Sequence, residues 1–164
     1  MRKRWLCIFL LLAGTPCVAA ELHVGIVDQR GKPVADAVVT VLPATRTPAQ
    51  APAPASRTKT INQSALTFVP YIEVFRPGDQ VVFHNSDKTR HHVYSFSTVK
   101  AFEFMLNPGE SSTALVLEKS GVVAVGCNIH DSMITYLYVT DAPWVVRTSP
   151  SGKAVVRGLP AGSR

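Results

Sequence analysis

Short runs of alternating or β-branched apolar residues recur along most of the chain, and no stretch carries the 3.6-residue apolar period of an amphipathic helix. Segments 22–27 and 37–42 are rich in valine and isoleucine. Turn residues Gly31 and Pro33 lie between them, so the two are expected to pair as strands. Residues 43–60 are Ala, Pro, Thr and Ser with scattered basic side chains, a composition that predicts a semi-extended linker. Strands are then expected at 72–75, 80–85, 92–97, 101–106, 113–117, 122–127 and 135–139. The gaps hold good turn sequences: Arg76-Pro77-Gly78-Asp79, Asn107-Pro108-Gly109-Glu110 and Lys119-Ser120-Gly121. Ala142-Pro143-Trp144 breaks this rhythm, and one more run follows at 154–158. The pattern predicts an all-β fold, a Greek-key β-sandwich of antiparallel strands with extra N- and C-terminal strands.

The first twenty residues read differently. Arg2, Lys3 and Arg4 precede an apolar run at 5–13, and Val18-Ala19-Ala20 ends in small residues, as a cleaved export signal does. Cleavage is expected after Ala20. The run is far shorter than the roughly 20 residues that span a bilayer, so no stable membrane insertion is expected. The organisation expected is thus a signal peptide at 1–20, a strand pair at 21–42, a linker at 43–60, a principal domain at 61–141, and a tail or partial β module at 142–164. The protein is expected to be periplasmic or secreted.

Removing the signal takes away three basic residues and lowers the net charge from +6 to +3. That is only mildly basic. With no basic stripe interleaved with aromatics, nucleic acid is not an expected partner. Cleavage also removes Cys7 and Cys17, leaving Cys127 as the one mature thiol. A disulfide within the chain is then excluded, so Cys127 is buried and inert, pairs with another chain, or binds a metal.

Its surroundings favour the metal. Cys127, His130 and Met133 follow one another at Cys-x2-His-x2-Met spacing in a loop between two predicted strands. Thiolate, imidazole and a weak thioether are the donors a mononuclear copper site takes from one loop, with a further histidine arriving from elsewhere. The adjacent pair His91 and His92 offers it. Side chains alternate along a strand, so only one of the two can face the metal. A structural zinc site prefers four strong donors, and methionine is a poor one.

In these segments the chain resembles the cupredoxins, the small blue copper proteins. Val81 to Asn85 followed by His91-His92-Val93 resembles the strand, loop and first ligand segment of plastocyanin. Leu106 to Glu110 resembles the turn before the penultimate strand, and the contracted ligand loop is similar to that of amicyanin. The segments 31–39, 91–97 and 126–131 also resemble exported bacterial proteins labelled methylamine utilization proteins. The resemblance implies one type 1 copper ion held by His91, Cys127, His130 and Met133, with His92 and His84 outside the ligand set. Two positions depart from the family. His92 stands where plastocyanin-like chains carry an Asn that ties the two ligand loops together, and Ile129 stands where they carry Pro. Unlike proline, Ile129 has an amide that is expected to donate to the Cys127 sulfur.

Four protein donors make a closed site, so the expected function is a one-electron carrier and not an enzyme. Its partners would be redox proteins such as an amine dehydrogenase or a cytochrome. His130 is the expected electron exit, with Ile129, Pro108 and Leu106 as an apolar docking patch. The alternatives are a periplasmic copper-binding or delivery protein and a metal-free β-sandwich interaction module. The mature chain has only Met105 and Met133 as methionines, fewer than copper handling would suggest.

Overall fold

A computed structural model of the protein describes residues 20–43 and 55–160. All but Ala20 of the expected signal peptide at 1–20, most of the expected linker and residues 161–164 lie outside them. Among the described residues every regular element is a strand, and no helix is long and apolar enough to cross a membrane. The strands are β1 (Ala20–Gly25), β2 (Val38–Val41), β3 (Thr58–Ser64), β4 (Thr67–Val69), β5 (Ile72–Phe75), β6 (Gln80–Asn85) and β7 (His91–Ser97). They continue with β8 (Lys100–Leu106), β9 (Leu115–Val116), β10 (Gly121–Cys127), β11 (Ile134–Val139), β12 (Trp144–Arg147) and β13 (Lys153–Leu159).

Two sheets make the sandwich, one ordered β5-β11-β10-β7-β8 and the other β4-β3-β6-β9. The chain crosses between them after β4, β5, β6, β8 and β9. Period-2 alternation explains the packing: in β6, Val81, Phe83 and Asn85 are buried while their neighbours are partly exposed. Inward residues of both sheets merge into one core containing Ile61, Phe75, Phe83, Val93, Val123, Val125 and Leu137. Phe83 ties the layers together. Its ring lies 5.5 Å from that of Phe102 and 5.7 Å from that of Phe104, both on the opposite sheet.

Pairing is not wholly antiparallel, as expected from sequence, because β3 with β6 and β5 with β11 are parallel. Each joins strands whose connection crosses to the other sheet, so a tight hairpin is not required. The expected N-terminal strand pair is also corrected. β1 pairs with β13 and β2 with β12, so each strand meets a partner from beyond the sandwich. Thr148 fastens this second unit, accepting the Ala37 N–H at 2.9 Å and donating to the Val34 carbonyl at 2.8 Å. Arg147 pairs with Asp36 at 3.3 Å and donates to the Ile72 carbonyl, which joins the unit to the edge of the large sheet. The expected linker stops short of Thr60, because β3 begins at Thr58.

Candidate metal centre

Strand register brings two distant segments together. Gly126 lies opposite Tyr94 and Cys127 opposite Val93, so the end of β10 sits beside the beginning of β7. That places the Cys127 thiol and the His91 imidazole at one end of the core. The loop after β10 then folds back, with the Met133 N–H donating to the His130 carbonyl at 2.9 Å and the Cys127 N–H reaching the Met133 carbonyl at 3.3 Å. Cys127, Met133 and His91 are 3%, 1% and 0% exposed, and the His130 ring is half-buried. Cys127 is a free cysteine.

The three strong donors form a compact triangle. His91 Nδ1 lies 3.7 Å from Cys127 Sγ, His130 Nδ1 lies 3.8 Å from the same sulfur, and the two nitrogens are 3.2 Å apart. Metal to nitrogen bonds run about 2.0 Å and metal to thiolate bonds about 2.3 Å. Two nitrogens about 2.0 Å from one ion and subtending about 105° are about 3.2 Å apart. A nitrogen and a sulfur subtending about 120° are about 3.7 Å apart on the same bond lengths. The triangle therefore has the dimensions of a trigonal His2Cys metal site. The soft thiolate fits copper, and Met133, buried and lining the same cleft as Cys127, supplies a thioether at hand.

Asp87 fixes which nitrogen of His91 is free. Its Oδ2 lies 2.9 Å from His91 Nε2, and an ionised carboxylate can only accept, so Nε2 carries the proton and the Nδ1 lone pair faces the triangle. The same carboxylate accepts the Ala65 N–H at 2.7 Å and the Leu66 N–H at 3.2 Å. Burial alone would push this carboxyl up, but the bonds from His91, Leu66 and Ala65 outweigh it and hold its pKa below the ordinary value. Asn85, fully buried, positions the loop behind Asp87. Its Nδ2 donates to the Thr89 and Leu106 carbonyls at 2.8 and 3.0 Å, and its Oδ1 accepts the Asp87 N–H at 2.9 Å. Sequence reasoning missed both residues, although a carboxylate four positions before a candidate ligand was visible.

The other histidines lie apart from the triangle. His84 Nδ1 is 2.9 Å from Ser111 Oγ, and His92 Nε2 is 2.7 Å from Glu103 Oε1 on the surface. His92 nevertheless ties the ligand loops together, since its carbonyl accepts the Asn128 N–H at 2.9 Å and its Nδ1 lies 3.3 Å from Asn128 Nδ2. The loop tie expected of Asn is thus made by a different residue. Two expectations are corrected. The polar neighbours of the Cys127 sulfur are the two imidazole nitrogens, and a bond from the Ile129 amide is not among them. Leu106 is buried in the core and cannot form part of a docking patch, whereas Ile129 and Met105 are 48% and 47% exposed.

A half-buried imidazole beside a buried thiol and a second, buried imidazole, at one end of a β-sandwich, defines a candidate mononuclear metal centre. No protein-family model and no curated protein matches the chain. Among solved structures it is similar to a reduced amicyanin variant, at 17% identity and a TM-score of 0.47, covering 51% of this chain and 82% of that one. It is also similar to a purple cupredoxin from Nitrosopumilus maritimus, at 22% identity and a TM-score of 0.44, covering 49% of this chain and 98% of the other. A copper-containing nitrite reductase from Thermus scotoductus SA-01 is similar at 22% identity and a TM-score of 0.47, over 60% of this chain and 25% of that enzyme. The chemistry of the centre rests on its own residues.

Proposed function

We propose that this chain is an exported type 1 copper protein that carries single electrons, in which His91, Cys127 and His130 would supply the strong donors and Met133 a weak thioether. The observation that carries the reading is the donor triangle, whose sides of 3.2, 3.7 and 3.8 Å suit one ion. When bound, copper supplies the one-electron couple between Cu(II) and Cu(I). Four protein donors leave no open position for a substrate, which favours electron transfer over catalysis. The electron leaves through His130, the half-buried member of the set, past exposed Ile129 and Pro108 and onto a redox partner such as an amine dehydrogenase or a cytochrome. Residues 1–20 act as a cleaved signal that delivers the protein to the periplasm or outside the cell, and 61–141 hold the copper.

Titrating the mature protein with Cu(II) tests this. An intense visible thiolate-to-copper absorption should appear at one equivalent and be absent in Cys127→Ser. A colourless wild type whose thiol reacts freely overturns the proposal. With the colour established, stoichiometric reduction and reoxidation by a small redox protein should proceed without loss of metal, and release of copper in each cycle would favour delivery over electron transfer.

A further inference from the structure

The Asp87 carboxylate bridges two features that the pairing of β3 with β6 brings to the ligand end of the sandwich. One is the His91 ring. The other is the β3 to β4 turn, where Ala65 and Leu66 both take positive φ, at 53° and 55°. Hairpin turns of this kind ordinarily carry Asn-Gly, because a residue with a Cβ is strained there by roughly 1–2 kcal/mol. Here the amides of both strained residues point at Asp87 and donate to it. The turn thus serves as a two-amide cradle that holds the carboxylate in place, with its Oδ2 left 2.9 Å from His91 Nε2. The Asp87 side chain is 13% exposed, so water competes little for that oxygen.

From this geometry we infer that Asp87 is a positioning residue whose negative charge, relayed through His91, biases the bound copper toward Cu(II) and so lowers its reduction potential. The inference rests on the copper reading above. A carboxylate accepting from the far nitrogen of a ligating imidazole fixes its tautomer and raises its basicity as a donor. A more basic, more negative donor stabilises the higher charge of Cu(II) more than that of Cu(I). Asp87→Asn removes the charge at nearly unchanged size and keeps one acceptor oxygen, which serves His91 Nε2–H only when its amide nitrogen faces the turn, so the variant removes the charge together with one turn bond.

Two measurements test the inference. In copper-loaded protein, Asp87→Asn should weaken Cu(II) affinity relative to Cu(I) at least tenfold, which for one electron is a rise of about 59 mV in potential. Ala65→Asn with Leu66→Gly, which relieves the turn and leaves the carboxylate, should move the potential by less than a third of that. A purely structural Asp87 would reverse the picture, with both variants changing stability and neither changing the potential, and that result overturns the inference. In metal-free wild type, long-range 1H–15N NMR should show the His91 proton on Nε2, and finding it on Nδ1 overturns the inference without any variant. A wild type that stays colourless with Cu(II) defeats the copper reading and the bias on potential built upon it. The NMR result would then still decide whether Asp87 sets the His91 tautomer.

Discussion

Removing the Asn85 side chain should loosen the ligand end of the sandwich as a unit. Asn85 is fully buried, and its amide makes three hydrogen bonds, to the Thr89 carbonyl, the Leu106 carbonyl and the Asp87 N–H. In Asn85→Ala all three partners lose that bond. A buried polar group left without a partner costs about 1–3 kcal/mol, so three would sum to well above the net worth of three ordinary bonds. One water entering the vacated space makes about three hydrogen bonds and recovers part of the loss. The expected destabilisation is therefore about 2–4 kcal/mol. With a urea m-value of about 2 kcal/mol/M, that moves the unfolding midpoint down by about 1–2 M without changing m.

The assay is equilibrium urea unfolding of the metal-free protein, followed by tyrosine and tryptophan fluorescence. Asn85→Asp gives a second arm. It keeps the acceptor for Asp87 N–H but turns a second oxygen toward two carbonyls, and so should be no more stable than the alanine variant. A midpoint within about 0.3 M of wild type for Asn85→Ala would refute the reasoning. It would mean that the loop from 86 to 90 is held by its backbone and not by the amide.

Three further outcomes follow from particular contacts. Gly152→Ala should cost more than about 2 kcal/mol, because φ there is +71° and the new Cβ would lie 2.5 Å from the Ile26 carbonyl oxygen; thermal or urea unfolding measures it. Ile129→Pro should leave the reduction potential of the copper protein within about 20 mV of wild type, since no Ile129 amide bond to the sulfur is present to be lost, and voltammetry checks this. Glu110 accepts the Asn107 N–H at 2.7 Å and its side-chain amide at 3.1 Å, and these bonds hold its carboxyl below the ordinary value. A pKa lowered by folding stabilises above the ordinary carboxylate range and loses that effect as pH falls through the folded value. The stability gap between wild type and Glu110→Gln should therefore narrow as pH falls through and below the ordinary carboxylate range, as denaturation at each pH would show.

How far sequence predicts this fold depends on what faces inward. β5 and β6 occupy the expected segments because Phe75, Val81 and Phe83 alternate with more exposed neighbours on either side of a turn that Asp79 closes by accepting the Arg76 N–H. β3 escaped detection because its inward positions are Lys59, Ile61 and Gln63, of which only one is apolar. Lys59 is tolerated there because it pairs with Glu73 at 2.6 Å and its ammonium lies 5.3 Å from the centre of the Phe75 ring. Lys59, held by its tertiary partners, and buried Gln63, whose Nε2 donates to the His84 carbonyl at 3.3 Å, erase the very alternation that marks a strand, so β3 is invisible until its neighbours are placed. β12 was hidden differently, since Ala142 and Pro143 beside Trp144 signal a break and its partner β2 lies about a hundred residues away.

The same division runs through the metal centre. Cys127, His130 and Met133 stand out as candidate donors in the sequence because one loop carries all three at close spacing. Register then selects His91 over His92, because period-2 alternation turns the first into the core and the second toward Glu103. What tunes the site comes from elsewhere: a carboxylate in the loop before β7, a buried amide ending β6 and a strained turn between β3 and β4. None of these has a spacing rule, because each acts through the crossing of the chain between sheets. A donor set can be read along one dimension, whereas the field that sets its potential exists only after the strands have met.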